Sequence, residues 1–319
     1  MGPLKSLERD HPIIDLNFQH FCSSQGIFSV EDFLISDLHV LAALAEQQPS
    51  SERLKQGITE VCCILDGLHQ PWRNGMELLE DSQQNKHVLA TGSERIDALL
   101  HGGLHEGHLT ELVGPSSSGK TQICLQAASY VAKRYKCGVA YVDTSNSFSA
   151  KRIAHFVSQN SYNGVEKVDS TEMQNIMERI TCYSVFDIFN LMNVLHQLGS
   201  NLRSQLRSSN EMRLLIIDSV SSLISPTLGG SASQGHALMV SAGVFLKKLA
   251  FEHNLSILVT NHMVGGEGGI SKPALGENWK SIPHVRLQLY PECGRKTCFI
   301  RILRHPCVAS GEEASFSVG

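Results

Sequence analysis

The chain has 319 residues, 42% of them hydrophobic and 18% charged, with a net charge of −4. That length suits two domains of ordinary globular composition, and no run approaches the roughly 18–20 apolar residues of a membrane span. Charge is uneven: residues 1–70 hold four Lys/Arg against ten Asp/Glu and the remainder 23 against 21, so the N-terminal part is a poor candidate for gripping a phosphate backbone by itself.

The opening MGPLKSLERDHPIID lacks the apolar segment of a secretory signal. Nine scattered cysteines fit reduced thiols in a cytosolic or nuclear protein. Residues 1–66 read as a small helical domain. Ile14, Leu16, Phe18, Phe21 and Cys22 lie near a helical repeat. Ser29 is placed to cap a helix, with Asp32 three residues later, and Phe33, Leu34, Leu38, Leu41, Leu44 and Ala45 continue at three- and four-residue steps. Ser50 or Ser51 begins a last helix carrying Leu54, Ile58, Val61, Cys62 and Leu65. Residues 67–87 have little periodicity and read as a linker.

Residues 88–319 read as an α/β core. The expected strands are Leu109–Val113, Gly138–Val142, Ile180–Ser184, Leu214–Ile217, Leu255–Thr260, Val285–Tyr290 and Thr297–Leu303, with helices starting near Gly119, Ala150, Phe186 and His236. This alternation predicts a mainly parallel sheet. The last two strands follow each other without a helix, so that edge is expected to be antiparallel. The Ser-rich stretch 200–210 reads as a loop. Cys293, Cys298, His305 and Cys307 match no standard zinc spacing and read as ordinary thiols beside a histidine.

Gly114-Pro115-Ser116-Ser117-Ser118-Gly119-Lys120-Thr121 fits G-x-x-x-x-G-K-[ST], between a strand (LTELV) and a helix (TQICLQAASYVAKRY). A phosphate chain needs converging backbone N–H donors, and glycine permits the tight wrap. Lys120 brings a point charge for the β and γ phosphates, Thr121 a hydroxyl for Mg²⁺, and the following helix its positive N-terminus. Leu214-Leu215-Ile216-Ile217-Asp218 is an apolar strand ending in a carboxylate suited to hold Mg²⁺ through water. These features point to ATP and Mg²⁺ as ligands. Asp143 ends the neighbouring strand, either as a group behind the metal or as a turn carboxylate.

The order TGSERIDALLHGGL (91–104), HLTELVGPSSSGKTQICLQ (108–126), VAYVDTS (139–145), LLIIDSV (214–220) and LVTNH (258–262) resembles the RecA-like strand-exchange recombinases of eukaryotes and archaea. The resemblance spans residues 88 to about 306, and GIFSVEDFLISD (26–37) looks like the small helical domain preceding that core. FDIFNLMNVLHQL (186–198), SPTLGGSASQGHAL (225–238) and KPALGENW (272–279) look like the recombinase paralogues, the D type among them. The resemblance implies a RecA-like P-loop ATPase core, a nuclear role in homologous recombination, and other paralogues as partners, one at the N-terminal domain and linker and one at the core.

Two departures bear on activity. The family's water-activating Glu after the VD-T strand end is Ser145 here, and a hydroxyl of ordinary pKa is no carboxylate base, so slow hydrolysis is expected. The family's γ-phosphate-sensing Gln after T-N is His262, which either contacts the phosphate or is a strand-end structural histidine. The two loops that touch DNA in the family are poorly charged here. Thr227–His236 has no Lys or Arg, and Met263–Lys280 sets Lys272 and Lys280 against Glu267 and Glu277, so single-stranded or branched DNA is expected to be bound within a complex. Gly265–Gly269 suggests a loop that orders on contact, and Trp279 either stacks on a base or packs. These features and the resemblance together lead to the expectation of an ATP-binding recombination mediator, a subunit of a paralogue complex that helps the main recombinase load on DNA; two other functions compete with it: an active strand-exchange ATPase, and a P-loop phosphotransferase acting on a small molecule.

Overall fold

The computed structural model describes residues 3–9, 11–68, 74–84, 87–159, 169–204, 211–228, 232–265, 271–292, 294 and 297–317. They divide into two compact units, Met1–Leu78 and Leu79–Gly319.

In the first unit a 3-10 turn (Leu4–Leu7) precedes α1 (Leu16–Ser24), α2 (Val30–Ile35), α3 (Leu38–Glu46), α4 (Ser51–Leu68) and the start of α5 (Gly75–Gln84). Ser29 and Asp32 form the expected reciprocal capping box of α2. The apolar run expected to continue as one helix is instead broken at Ser36, whose backbone is extended. Asp37 then caps α3 by accepting from the N–H groups of His39 and Val40, a local side-chain bond that competes with helix continuation. Phe18, Phe33, Leu54 and Val61 are buried in this unit's own core. Gly57 of α4 lies where a Cβ would meet the Phe18 ring at 2.4 Å. The stretch expected to be an unpatterned linker contains α5, started by Asn74, whose Oδ1 accepts from the N–H groups of Met76 and Glu77.

The second unit runs β1 (Val88–Leu89), α6 (Glu94–Leu99), β2 (Leu104–His105), β3 (Leu109–Gly114), α7 (Lys120–Arg134), β4 (Gly138–Asp143), α8 (Ala150–Gln159), α9 (Ser170–Glu178), β5 (Ile180–Ser184), α10 (Ile188–Ser204) and β6 (Met212–Asp218). It continues with α11 (Val220–Leu228), α12 (Ala232–Glu252), β7 (Ser256–Gly265), β8 (Ser271–Pro273), α13 (Gly276–Lys280), β9 (Val285–Pro291), β10 (Thr297–Arg304) and β11 (Glu313–Ser317). The main sheet has the order β11-β10-β9-β3-β7-β6-β4-β5, with β8 paired to the end of β7. From β9 to β5 neighbouring strands are parallel; β10 and β11 close the other edge antiparallel. This is the mixed α/β, mainly parallel sheet expected from the alternation.

The inner strands β3, β4 and β6 are buried without a period because both faces are covered. In β6, Leu214 and Ile216 join the core beneath α7, α8 and α9, while Leu215 and Ile217 join the core beneath α10, α11 and α12.

Two expected loops are partly regular. The Ser-rich stretch is helical to Ser204, and residues 205–210 lie outside the described residues. Of the first presumed DNA loop, Thr227 belongs to α11 and residues 232–236 to α12, with 229–231 outside the described residues. The second is a hairpin of β7 and β8 followed by α13; the glycine run falls largely in residues 266–270, also outside them. No described helix is long and apolar enough to cross a membrane.

Candidate nucleotide site

The register of the parallel strands brings their carboxyl ends together: Gly114 lies beside His262, and Asp143 beside Asp218. Open α/β sheets bind ligands at this edge. Gly114 ends β3 where a Cβ would come within 2.5 Å of Ser118 Oγ and 2.7 Å of the Leu289 carbonyl, so the loop closes only with glycine there. Ser117 (φ 62°) and Gly119 (φ 90°) turn the backbone through left-handed conformations into α7. Pro115, Ser116 and Ser117 are exposed, and Thr121 is half-buried in the first turn of α7. Ser118 is buried, and its Oγ has no hydrogen-bond partner among the described residues.

Lys120 is buried, and its ammonium donates to the carbonyls of Gly114 and Pro115, both at 2.8 Å. Burial lowers its pKa, and the nearby charge of Asp218 partly opposes this. Asp218 is held from three sides. Thr260 Oγ1 donates to its Oδ1 at 2.6 Å, and Tyr141 OH and Ser147 Oγ to its Oδ2 at 3.0 and 3.4 Å. Burial above all raises the Tyr141 pKa far above the ordinary phenol value, so the phenol stays protonated and serves as a donor. A helix N-terminus, a wrapped loop, an ammonium bonded to two neutral carbonyls and a fixed carboxylate together form a donor set suited to a phosphate chain and a divalent cation.

The two readings of Asp143 separate. Its Oδ1 accepts from the N–H groups of Ser145 and Ser147, both at 3.1 Å, and its Oδ2 from that of Phe148 at 2.9 Å, so it is the carboxylate that shapes the turn after β4. Ser145 sits exposed on that turn. Thr144 clasps β4 to β6: its Oγ1 accepts from the Ser219 N–H at 2.7 Å and bonds Ser222 Oγ at 2.6 Å. His262 Nε2 lies 2.8 Å from Ser219 Oγ, and its backbone N–H donates to Ser221 Oγ. Partial burial and then the Lys120 charge lower its pKa below the ordinary histidine value, against an opposing pull from Asp218.

Thr144, Tyr141, Ser147, Ser219 and Thr260 were not singled out from sequence. Only their position at or beside strand ends, within VAYVDTS, IIDSV and LVTNH, could have flagged them.

Lys272 and Lys280 lie apart from the strand-end cluster, on β8 and α13. They line a cleft of about 1020 Å³ together with His236, Glu277, Arg286 and Arg304. Lys280 pairs with Glu277 at 3.3 Å. Trp279 is fully buried, its Nε1 donating to Glu111 at 2.9 Å, so it packs and offers no face to a base. Of Cys293, Cys298 and Cys307, the first lies outside the described residues and Cys298 is buried in β10. The His305 Nδ1 accepts from the N–H groups of Cys307 and Val308.

A family model described as Rad51 matches residues 83–319. The DNA repair protein RAD51 homolog 4 of Bos taurus is 36% identical over 268 residues, covering 83% of this chain and 79% of its own. Its namesake of Mus musculus is 34% identical over 218 residues, 68% of this chain and 64% of its own. The DNA repair protein RAD51 of Mycosarcoma maydis is 28% identical over 248 residues, 72% of this chain and 68% of its own. The match takes in every strand of the nucleotide edge, and identity is higher to the bovine and mouse homolog 4 proteins than to the Mycosarcoma maydis RAD51: the chain belongs to the Rad51 family, as a recombinase paralogue.

Proposed function

We propose that this protein binds ATP–Mg²⁺ and acts in the nucleus in homologous recombination repair of DNA damage, as a subunit of a paralogue complex that binds single-stranded or branched DNA and assists loading of the strand-exchange recombinase on single-stranded DNA. Residues Gly114–Thr121 would hold the phosphate chain, with Lys120 supplying charge. Thr121 and Asp218 would hold Mg²⁺, Asp218 through water. The metal, when bound, neutralises phosphate charge.

One observation carries the reading. Ser145 is exposed on the turn after β4, next to the strand end that pairs with Asp218, and it stands in sequence where the resembled recombinases carry their water-activating Glu. Binding without efficient turnover lets nucleotide act as a ligand that fastens an assembled state. The expected result is ATP turnover by the full chain, with single-stranded DNA present, well below that of a filament-forming recombinase. Ser145→Glu should raise it by about tenfold, a modest part of what a positioned base supplies. Brisk wild-type turnover would exclude the mediator role; an unchanged rate in S145E would exclude the missing-base explanation.

The N-terminal unit is proposed as a detachable partner-binding module, with the remainder as the ATP-binding core. Its acidic balance opposes phosphate contacts, while Phe28 and Ile35 are exposed at 65% and 86%, which suits a protein partner. A division at 86/87 leaves α5 whole. In pull-downs from nuclear extract, fragment 1–86 should retain one paralogue and fragment 87–319 another. DNA affinity at fixed salt should stay with the larger fragment. Tight DNA binding by 1–86, with no protein partner, would refute this division.

A further inference from the structure

His262 sits beside Gly114 in the β3–β7 register and within electrostatic reach of Lys120 and Asp218. These are the groups placed to meet the outermost phosphate and its metal. What an imidazole does there depends on which nitrogen carries the proton, and the hydrogen-bond network around Ser219 decides it.

Ser221 Oγ accepts from the backbone N–H of His262 at 3.0 Å. Ser221 Oγ lies 3.5 Å from Ser219 Oγ, at the outer limit of a hydrogen bond, with either oxygen able to donate. Ser219 Oγ accepts from the Ser222 N–H at 3.4 Å, and its short 2.8 Å contact to His262 Nε2 is the better one for its single proton. Ser219 and Ser221 are both buried, at 1% exposure, while His262 is exposed. Nε2 is then an acceptor and the ring proton lies on Nδ1, which has no hydrogen-bond partner among the described residues. The serine is held in turn by Thr144, whose Oγ1 accepts from the Ser219 N–H.

We propose that Ser219 is a positioning residue that sets His262 as a neutral N–H donor through Nδ1, and that this donor discriminates nucleoside triphosphate from diphosphate in the P-loop pocket. The second half rests on the nucleotide reading above; the first does not. A neutral donor suits the place, because a protonated imidazole would add a cation beside Lys120. The lowered His262 pKa agrees with this. Free imidazole prefers its proton on Nε2, so removing the serine hydroxyl should return the ring to that form. A glutamine amide donates N–H without any tautomer, so His262→Gln should make Ser219 dispensable.

The test is a four-variant cycle on the full chain: wild type, Ser219→Ala, His262→Gln and the double variant. Calorimetric affinities for a non-hydrolysable ATP analogue and for ADP are measured with Mg²⁺. S219A should lower the triphosphate-to-diphosphate affinity ratio about three- to tenfold, the range of a single hydrogen bond. H262Q sets the reference ratio for the second pair, and adding S219A to it should change that ratio less than about twofold. Equal weakening of both nucleotides by S219A, or the same loss in the H262Q background, would make Ser219 merely structural and overturn the proposal.

A second readout needs no nucleotide. Imidazole ¹⁵N spectra of the histidine-labelled chain, with the His262 signals identified by their loss in H262Q, should show the proton on Nδ1 in wild type and on Nε2 in S219A. Finding it on Nε2 in wild type would overturn the tautomer assignment. Failure of wild type to bind either nucleotide would overturn the nucleotide reading and the discrimination with it, while the spectra decide the tautomer independently.

Discussion

Replacing Lys120 with alanine should weaken ATP binding by about 10- to 150-fold, the equivalent of a charge-assisted contact of roughly 1.5–3 kcal/mol. The side chain is buried at 6% exposure, and its ammonium is shared between the carbonyls of Gly114 and Pro115. These are neutral partners, which an anionic phosphate oxygen can outcompete. The same bonds brace the loop, so alanine removes both the charge and part of the loop's support. Lys120→Arg separates these effects: it keeps the charge but cannot fit the compact ammonium's place, and should bind almost as poorly as alanine. Calorimetric titration with ATP–Mg²⁺ reads both variants. Wild-type affinity in K120A would sink the assignment of this loop as the phosphate site, and an intact circular-dichroism spectrum guards against reading unfolding as lost binding.

How much of this site could be read beforehand depends on how local its determinants are. The phosphate loop is local. Eight consecutive residues specify the turn, the charge and the helix start, and the preceding LTELV is apolar enough to be a buried strand. Asp218 is legible for the same reason, as a charge that ends four buried aliphatic residues. The strands near it were found to within a few residues because a parallel sheet covered on both faces needs unbroken apolar runs.

What escaped was set by partners distant in sequence or by polar side chains acting locally. The break between α2 and α3 rests on one aspartate cap. Helix α11 contains Pro226, which argues against a helix on propensity alone. Strand β11 pairs beyond a turn in a polar stretch whose burial pattern is mostly open. The role of Asp143 depends on three backbone N–H groups that only the folded turn presents. Ser219 acts through a histidine 43 positions away, and nothing in either local segment names the other.

Glu111 is the extreme of this kind, and replacing it with alanine should destabilise the core unit by about 3–5 kcal/mol, the usual effect of orphaning a buried charge. A glutamate in the middle of LTELV reads as a polar position on a strand. In the fold it is fully buried, with Arg286 Nε at 2.5 Å from Oε2. Its Oε1 accepts from Asn261 Nδ2 at 2.8 Å and Trp279 Nε1 at 2.9 Å. One carboxylate thus ties β3, β7, β9 and α13. Alanine would leave a guanidinium, an amide and an indole N–H without that acceptor. Against a typical total of about 5–15 kcal/mol, such a loss takes much of the margin. Glu111→Ala with Arg286→Met removes the orphaned cation and should recover part of the loss, since the charge itself and not the cavity is the larger liability. Denaturant unfolding followed by circular dichroism measures both variants. A loss below about 1 kcal/mol in E111A, within the range of an exposed pair, would show that the network is incidental to stability. The site adds a second consequence. Glu111 lies three residues before Gly114, and Asn261 immediately precedes His262, so a core loosened here should also weaken ATP binding, although no atom of this network belongs to the phosphate loop.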